Sequence, residues 1–429
     1  RRAGGRPRRR AGPGMPRPRA VASSAAAWAA ATLFAGLSQA VAGPLADTGL
    51  PVALLDTFNS SLHARFFVMH PPLQLQRVRG HGVECQYFGH MYSFEWMYTD
   101  FFEMNPQFTA ASAEAADFII VPHCITYVYH LLRYGGGFNT VALTWEALRI
   151  AQEEYLLPII RWAQATPAHQ RSGGANFVLV LAMDKGRVDY PLVSRATQKW
   201  QAITTVGNGT TWMRANRPWL VPDAEHRGRG DEDPCRAKTS TSKRRLIFFD
   251  RDVVVPVPTA FQWHEAAGET EGRDLLIFYA GSPNSCIRRL ILQELSGSPD
   301  PDVLVVPKAI ARETWSNLLY RSRFCLVPDG FSSISARLYE VLLHGCVPVL
   351  FSHAFHPPFE SLLDWRRMAV FLRGSEVRRA PALLRDLGEE QYLAMHAAIA
   401  RARRLFGPDD MPFWLATNLE LQLRGQRPR

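Results

Sequence analysis

Short apolar runs and helix-like stretches alternate along the chain, which predicts alternating strands and helices. In the first part, the apolar runs at residues 118–121 and 177–181 indicate buried parallel strands, and residues 141–162 indicate a helical stretch between them. Residues 246–249 and 253–256 add two further apolar runs. This part of the chain is therefore predicted to form an α/β unit.

A second α/β series follows, and its phasing is clearer. Its predicted strands are residues 275–279, 303–306, 324–327, 347–351 and 368–372, and its predicted helices are residues 284–295, 313–321 and 333–344. Between the two series, residues 222–245 hold almost no apolar residue, which is typical of a surface insertion. The pattern predicts the α/β class, with two Rossmann-like domains facing across a cleft.

Four segments follow from this pattern. They are residues 1–43, a basic leader with a signal peptide or signal anchor; residues 44–265, the first Rossmann-like domain with the insertion near its end; residues 266–406, the second Rossmann-like domain; and residues 407–429, a C-terminal tail.

The beginning of the chain has the layout of a secretory signal peptide. Arg17 and Arg19 precede an Ala-rich, uncharged stretch at residues 20–37, and Ala40-Val41-Ala42 then gives a small-x-small cleavage pattern before Gly43. The apolar stretch also has the length of a membrane span, so an uncleaved type II anchor is the close alternative, and an organellar transit peptide is a third. The first two alternatives predict the secretory pathway.

Composition and charge narrow the class of protein. Of the 429 residues, 47% are hydrophobic and 21% charged, which is ordinary for a globular protein and argues against wholesale disorder. The net charge of +10 is concentrated in Arg-rich termini, so we expect no nucleic-acid binding, while the basic surplus of the body fits phosphates or acidic polymers. Six cysteines without a CxxC pair argue against zinc and leave one to three disulfides open, with undetermined pairing.

Residues 324–350 carry the clearest candidate chemistry. A short apolar strand ends at Pro328, Asp329 and Gly330 permit a tight turn, and Ser332 or Ser333 suits a helix N-cap. This is a βαβ unit whose loop lies where open α/β sheets bind ligands. A helix N-terminus with several hydroxyl groups favours phosphate oxygens.

Two residues of the following helix fit a nucleotide ligand. Arg337, one turn into the helix, can add a charge-assisted bond to a diphosphate. Glu340 lies on the same face and can accept hydrogen bonds from ribose or sugar hydroxyl groups. The alternative interpretation is a surface Arg–Glu pair, and spacing alone leaves it open.

The same stretch resembles the signature of the exostosin family of glycosyltransferases. The family pattern has "S.FCL.P.G", then "S.R..E", then "GC.PV". Further upstream, residues 251–256 resemble its "kDvviP" element and residues 116–122 its "eeADlFfVP" element, so that the likeness covers residues 108–371. The matching positions are Ser322, Phe324, Cys325, Leu326, Pro328, Gly330, Ser335, Arg337, Glu340 and Gly345 to Val349, with Arg273, Leu276, Phe278, Gly281 and Arg288 before them.

The resemblance implies a GT-B fold and an inverting glycosyltransferase of the Golgi lumen or secretory pathway. It would move a sugar from a nucleotide sugar, usually a UDP-sugar, to a glycan or glycoprotein acceptor, with no cofactor required. The second domain would bind the donor and the first the acceptor. The donor-binding residues would be Ser332, Ser333, Ser335, Arg337 and Glu340, with Arg273 and Arg288 as diphosphate partners that supply cations where no metal does. The sequence has no clear DxD metal motif, since Asp250-Arg251-Asp252 lies inside the "kDvviP" element.

One departure from the family pattern keeps a second hypothesis open. The family's "GrDH" appears here with Ala175 and Asn176 in place of Asp-His. If that pair serves catalysis, the chain is a catalytically weak pseudoenzyme that partners a second, active glycosyltransferase. His123, just after a predicted strand, is the candidate catalytic base, although an isolated histidine there is more often structural, and the base is otherwise unassigned.

Overall fold

The computed structural model describes most of the chain from residue 63 onward. The described residues are 63–85, 94–135, 141–183, 186–204, 235, 252–257, 259, 264–329, 336–351, 357–359, 362–407 and 411–423. All of them belong to one compact unit, which begins at Asp47. The predicted leader and the predicted insertion, except for Cys235, lie outside this set. Within it, the structure has no helix with the length and apolar character that crossing a membrane requires.

The first half of the unit is built on a parallel sheet. Its strands are β1 (Phe66–Val68), β2 (Arg77–Val78), β3 (His81–Gly82), β4 (Phe118–Ile120), β5 (Phe177–Leu181), β6 (Gln201–Thr204) and β7 (Val253–Val254). β2 and β3 form a separate antiparallel hairpin, and the others pair in parallel in the order β1-β4-β5-β6-β7. This order follows the chain without a reversal.

Burial on both faces explains the apolar runs of this sheet. In β5, Val178 and Val180 pack into one hydrophobic cluster, and Phe177, Leu179 and Leu181 pack into another on the opposite face. A strand covered on both faces is apolar at every position, which is why β5 was predicted with its observed bounds.

Helices cover this sheet. They are α1 (Phe94–Met104), α2 (Ile125–His130), α3 (Val141–Ile150), α4 (Leu157–Gln164), α5 (Pro167–Ser172) and α6 (Pro191–Ala196). The predicted helical stretch at residues 141–162 contains a change of geometry, because residues 151–156 adopt π-helical hydrogen bonding between α3 and α4. Pro158, in the first turn of α4, explains the change, since it lacks an N–H for a regular helix.

The second half contains another parallel sheet, with a different strand order. Its strands are β8 (Leu275–Ala280), β9 (Val303–Val306), β10 (Ser322–Val327), β11 (Val347–Leu350) and β12 (Val370–Phe371). They pair in the order β12-β11-β10-β8-β9. Because the chain moves outward in opposite directions from β8 and from β10, the order reverses between these two strands. In open α/β sheets ligands bind at the carboxyl ends of the strands at such a reversal.

The helices of the second half lie in these crossovers and after the last strand. They are α7 (Cys286–Leu295), α8 (Arg312–Tyr320), α9 (Ala336–Leu343), α10 (Ala380–Asp386), α11 (Gly388–Ala402) and α12 (Met411–Leu423). Right-handed crossovers place α7 on one face of the sheet and α8 and α9 on the other. The beginnings of α7 and α9 therefore approach the reversal between β8 and β10 from opposite faces.

The two parallel α/β halves confirm the predicted α/β class. The facing of the two domains across a cleft stays a prediction.

The end of the chain differs from the predicted tail, because residues 411–423 form helix α12, which buries Leu415, Ala416 and Leu419. Its Glu420 carboxylate accepts hydrogen bonds from the backbone N–H groups of His63 and Ala64, at 2.7 and 3.0 Å, so the helix returns to the first half.

All six cysteines form disulfides, the upper limit of the predicted range. The pairs are Cys85–Cys124, Cys235–Cys286 and Cys325–Cys346. Cys325 lies in β10 and Cys346 directly precedes β11, so this bridge links two neighbouring strands. Cys286 is the first residue of α7, so its bridge links the insertion to the second half.

Candidate functional site

Arg288 lies at the reversal of the second sheet. It is in the first turn of α7, after β8, and its backbone N–H donates to the N-cap Ser285 Oγ at 3.3 Å. Ser285 Oγ and Arg288 Nε both donate to the carbonyl oxygen of Asp329, beyond the end of β10, at 2.8 and 3.1 Å. These bonds hold the segments that follow β8 and β10 together. They leave the two terminal nitrogens of Arg288 without a hydrogen bond to the described part of the chain.

Arg337 reaches the same place from the other face of the sheet. It is the second residue of α9, and its guanidinium carbon lies 4.8 Å from the centroid of the Tyr279 ring and 5.2 Å from that of Trp315. Among the described residues, the buried Nη1 of Arg337 has no hydrogen-bond partner. A buried guanidinium nitrogen without a partner is costly in a folded protein and indicates a place for a ligand acceptor.

Gly281 makes room for this arrangement. A Cβ atom at this position would lie 2.8 Å from the Tyr279 hydroxyl oxygen and 2.9 Å from Arg337 Nη2. Any larger residue would displace one of these two groups. The glycine that follows β8 therefore allows the guanidinium to lie against the end of the strand.

The electrostatics of the cluster favour an anion. Burial lowers the pKa of the Arg337 guanidinium, and the nearby positive charge of Arg288 lowers it further, against opposing contributions from Tyr279 and Glu340. Two cationic side chains, Arg288 in the first turn of α7 and Arg337 in the first turn of α9, therefore lie near each other at the carboxyl edge of the second sheet. A dianionic ligand between them would compensate their desolvation and their mutual repulsion.

Glu340 is half-buried one turn after Arg337. Burial raises the pKa of its carboxyl group, and the opposing influences come from Arg337, from the Trp315 indole and from Arg312. Its carboxylate thus lies beside the cationic cluster and does not neutralise it by a salt bridge within the described residues. Ser332, Ser333 and Ser335 lie outside the described residues, so their predicted contacts stay predictions.

Arg273, predicted to contact the diphosphate, occupies a different position. It precedes β8 and so lies at the amino edge of the sheet, opposite the ligand-binding edge. All five of its N–H donors are used by backbone carbonyl oxygens, so none is left for a phosphate. The acceptors are the carbonyl oxygens of Glu269, Leu319, Ser322, Ala267 and His344. The structure gives Arg273 a structural role, and we exclude it from the candidate site.

The structure also argues against His123 as the catalytic base. The side chain is 3% exposed, and burial lowers the pKa of its imidazole to about 3, so it is neutral at physiological pH. Its Nδ1 accepts a hydrogen bond from the Ile125 N–H at 3.4 Å, which places the remaining proton on Nε2. A catalytic base needs an accessible lone pair and a pKa near the working pH. In His123 the Nδ1 lone pair is used by a backbone N–H, Nε2 is buried, and the pKa is too low.

Asp252 is likewise committed to the fold. It forms a bidentate salt bridge with Arg187, from Nε and Nη2 at 2.8 Å each, and both side chains are almost completely buried. The Asp252 carboxylate is therefore committed to Arg187, while Asp250 and Arg251 of the DxD-like stretch lie outside the described residues. Groups of three or more metal-ligating side chains are absent from the described residues.

Glu95 is a buried acidic residue that the sequence analysis missed. Its carboxyl group accepts from the backbone N–H of Thr126 at 3.1 Å and of Ala182 at 3.4 Å, and lies 2.6 Å from Thr126 Oγ1. It therefore connects the segments that follow β4 and β5, at the carboxyl edge of the first sheet. The sequence could have indicated Glu95, because it is a charged residue near the start of a largely apolar helix.

We expect Glu95→Gln to make the stability of the protein less sensitive to alkaline pH. Burial raises the Glu95 pKa from 4.5 to about 8, so the folded state holds this proton more tightly than the unfolded state. The stabilisation is complete below pH 4.5 and is lost as the pH rises through 8. Because glutamine imitates the protonated carboxyl group, urea unfolding at pH 5, 7 and 9 should show the variant gaining on the wild type as pH rises. The exposed Glu313→Gln is the control, and a pH-independent difference would contradict the prediction.

Comparison with known proteins identifies the family of this chain. The model of the Exostosin GT47 domain matches residues 54–387. A probable glycosyltransferase of Arabidopsis thaliana is 31% identical over 134 residues, which are 31% of this chain and 26% of that protein. Exostosin-1 of Drosophila melanogaster is 38% identical over 84 residues, or 20% of this chain and 11% of that protein. A probable arabinosyltransferase of Arabidopsis thaliana is 26% identical over 172 residues, 38% of each chain.

The extent of these matches decides what they show. The chain spans about a quarter of the first curated relative it matches, with 26% of that protein covered. The family model, in contrast, covers residues 54–387 and so includes both parallel sheets and the arginine cluster. Two parallel α/β halves are also the architecture of the GT-B fold. The chain belongs to the exostosin GT47 family.

Proposed function

We propose that the chain is a glycosyltransferase that binds the diphosphate of a UDP-sugar between Arg288 and Arg337. The observation that carries the proposal is the buried Nη1 of Arg337, unpartnered among the described residues, at the reversal between β8 and β10, where Arg288 also lies and uses only its Nε for the fold. A nucleoside diphosphate supplies acceptor oxygens and negative charge for this position. Membership of the exostosin GT47 family supports the same conclusion.

The proposed reaction breaks the bond between the anomeric carbon and the diphosphate oxygen. The electrons of that bond remain on the departing diphosphate, where Arg288 and Arg337 stabilise the developing charge. An acceptor hydroxyl of a glycan or glycoprotein forms the new bond from the opposite face of the sugar, so the configuration inverts, and its proton passes to a base outside the residues assigned here. Since the two arginines meet the charge, we propose that no cofactor is required.

We assign Glu340 to the donor as well. Its carboxyl group lies beside Arg337 on the ligand-binding edge and is half-buried. In this position it would accept hydrogen bonds from ribose or sugar hydroxyl groups while Arg337 holds the phosphate. The acceptor would enter from the first half of the unit.

We further propose that the protein works in the secretory pathway, in the Golgi lumen. Three disulfides, including the buried Cys325–Cys346 pair, fit an oxidising compartment. The segment at residues 20–37 would then direct the chain into this pathway or anchor it as a type II membrane protein.

The alternative of a pseudoenzyme rests on Ala175 and Asn176. These residues directly precede β5, and the Asn176 carbonyl oxygen accepts from Ile119 N–H at 2.8 Å. They therefore lie at the amino edge of the first sheet, opposite the edge where α/β proteins bind ligands. This placement favours an effect on the local fold over an effect on catalysis, and so favours the active enzyme.

The proposal is tested by offering a panel of UDP-sugars, with glycan acceptors, to the disulfide-intact protein and following UDP release and transfer. We expect one donor to be turned over, and Arg288→Gln to lower kcat/KM by about 100-fold, in line with the loss of charge-assisted bonds to the leaving group. Arg289→Gln is the matched control, because Arg289 is the adjacent residue of α7 and is exposed. UDP binding without turnover of any donor would favour the pseudoenzyme, and absence of UDP binding would refute the site.

A further inference from the structure

Trp315 and Tyr279 enclose the Arg337 guanidinium. Tyr279 belongs to β8 and Trp315 to α8, so the two aromatic rings reach Arg337 from different elements. The Trp315 ring also packs against Phe278 at 5.2 Å between centroids, which fixes its orientation. We call Tyr279, Gly281, Trp315 and Arg337 the guanidinium box.

We propose that Trp315 is a positioning residue, which holds Arg337 toward the donor diphosphate by stacking on its guanidinium group. The proposal rests on the donor site proposed above and adds a residue that does not itself touch the donor. The sequence signature contains Arg337 and Glu340 but gives no role to Trp315.

The geometry supports positioning over simple packing. A guanidinium of a long, flexible side chain needs restraint if it is to meet a phosphate without a large loss of freedom. Hydrogen bonds would restrain it but would also occupy its donors, as they do in Arg273. Stacking on aromatic faces restrains the plane of the group and leaves its N–H donors at the edges available. Stacking on the two rings therefore explains why Arg337 is held in place while its Nη1 has no hydrogen-bond partner among the described residues.

The position of Trp315 agrees with this role. It lies in the first turn of α8, and right-handed crossovers place α8 on the same face of the sheet as α9. The indole also opposes the raised pKa of Glu340, so it lies beside both residues of the predicted signature. A residue that served the core alone would have no reason to face two polar side chains.

A double-mutant cycle tests the proposal. UDP and uridine affinities are measured by calorimetry for the wild type, Trp315→Leu, Arg337→Met and the double variant, all with intact disulfides. We expect Trp315→Leu to weaken UDP binding by about tenfold when Arg337 is present and to have almost no effect in the Arg337→Met background. Uridine binding should change little in either case, because uridine lacks the diphosphate.

Two further variants keep the result independent of folding. Trp315→Phe retains a ring face, so we expect only a few-fold loss of UDP affinity. Trp145→Leu is the control for loss of a tryptophan, because Trp145 is 62% exposed in the first half, and it should bind UDP like the wild type.

The possible results separate the two proposals. Equal effects of Trp315→Leu in both backgrounds, or no effect in either, would overturn the positioning role while leaving the donor site in place. If Arg337→Met itself bound UDP as the wild type does, the donor site would be refuted, and the positioning role with it.

Discussion

We expect Arg337→Met to lower the affinity for UDP by about 100-fold, while the free energy of unfolding without ligand stays the same or rises. Two charge-assisted hydrogen bonds to the diphosphate, at about 1.5 kcal/mol each, account for a loss of this size. The free protein gains because burial and Arg288 both disfavour the charged guanidinium. Methionine can fill the space between the Tyr279 and Trp315 rings without a charge.

Calorimetry and urea unfolding measure the two parts of this prediction. At a UDP concentration of 100 times the wild-type Kd, the ligand stabilises the wild type by about 2.7 kcal/mol and the variant by about 0.4 kcal/mol. Arg289→Met, with an exposed arginine of α7 removed, is the control and should behave like the wild type.

Opposite results would assign Arg337 differently. Unchanged UDP affinity would mean that the guanidinium does not contact the diphosphate. A marked loss of stability in the absence of UDP would give Arg337 the same structural role as Arg273. Only weaker UDP binding together with an undiminished free energy of unfolding would show that Arg337 is a buried cation kept for binding the ligand.

The parts of the fold that the sequence predicted best are the strands buried on both faces. β5 has the predicted bounds, because a strand covered on both sides leaves a continuous apolar run. β9 also has the predicted bounds, although Leu304 and Val306 on one of its faces are only half-buried. β1 has three residues and β6 begins with Gln201, so neither stands out from its surroundings. The hydrophobic pattern of the sequence therefore predicts which residues are buried better than it predicts which strands pair.

α12 shows the same limit for helices. Its sequence, MPFWLATNLELQL, has apolar residues around most of its surface, and its polar Thr417, Asn418 and Glu420 are buried in the protein. Without an amphipathic stripe the helix gives no periodic signal, and the basic residues at the chain end suggested a tail. Tertiary contacts with the segment before β1, with α1 and with β7 explain why this segment folds.

Whether a predicted residue belongs to the candidate site depends on which end of a strand it adjoins. Arg273 and Arg288 both match the family pattern, yet Arg273 precedes β8 and Arg288 follows it. Because ligands bind at the carboxyl edge, the predicted strand at residues 275–279 already contained the means to separate them. Tyr279 and Trp315 could not be found in this way, since their meeting with Arg337 depends on the order of β8, β9 and β10 in the sheet.

A large loss of stability is expected when one member of the Arg187–Asp252 pair is removed. Asp252→Asn leaves the Arg187 charge buried without compensation, which costs about 3–5 kcal/mol. Arg187 Nη2 also donates to the Trp200 carbonyl oxygen at 2.8 Å, and Asp252 Oδ1 accepts from Ala202 N–H at 2.9 Å. The pair therefore holds the segment before β7 against β6.

Urea unfolding of three variants tests this expectation. We expect Asp252→Asn and Arg187→Met each to lower the unfolding midpoint strongly, and Arg187→Met with Asp252→Leu to lower it less than either single change. The double variant leaves no buried charge, so only the hydrogen bonds to the backbone are lost. Glu146→Gln breaks an exposed pair with Arg149 and is the control, so it should leave the unfolding midpoint almost unchanged.

The double variant also decides between two explanations of the "kDvviP" resemblance. If Asp252 serves the fold, the double variant should keep its affinity for UDP, since the pair lies in the first half and far along the chain from Arg288 and Arg337. If Asp252 instead takes part in donor or metal binding, the double variant would lose UDP binding or turnover although its stability is largely restored. A double variant less stable than both single variants would show that backbone hydrogen bonding, and not charge compensation, makes this pair indispensable.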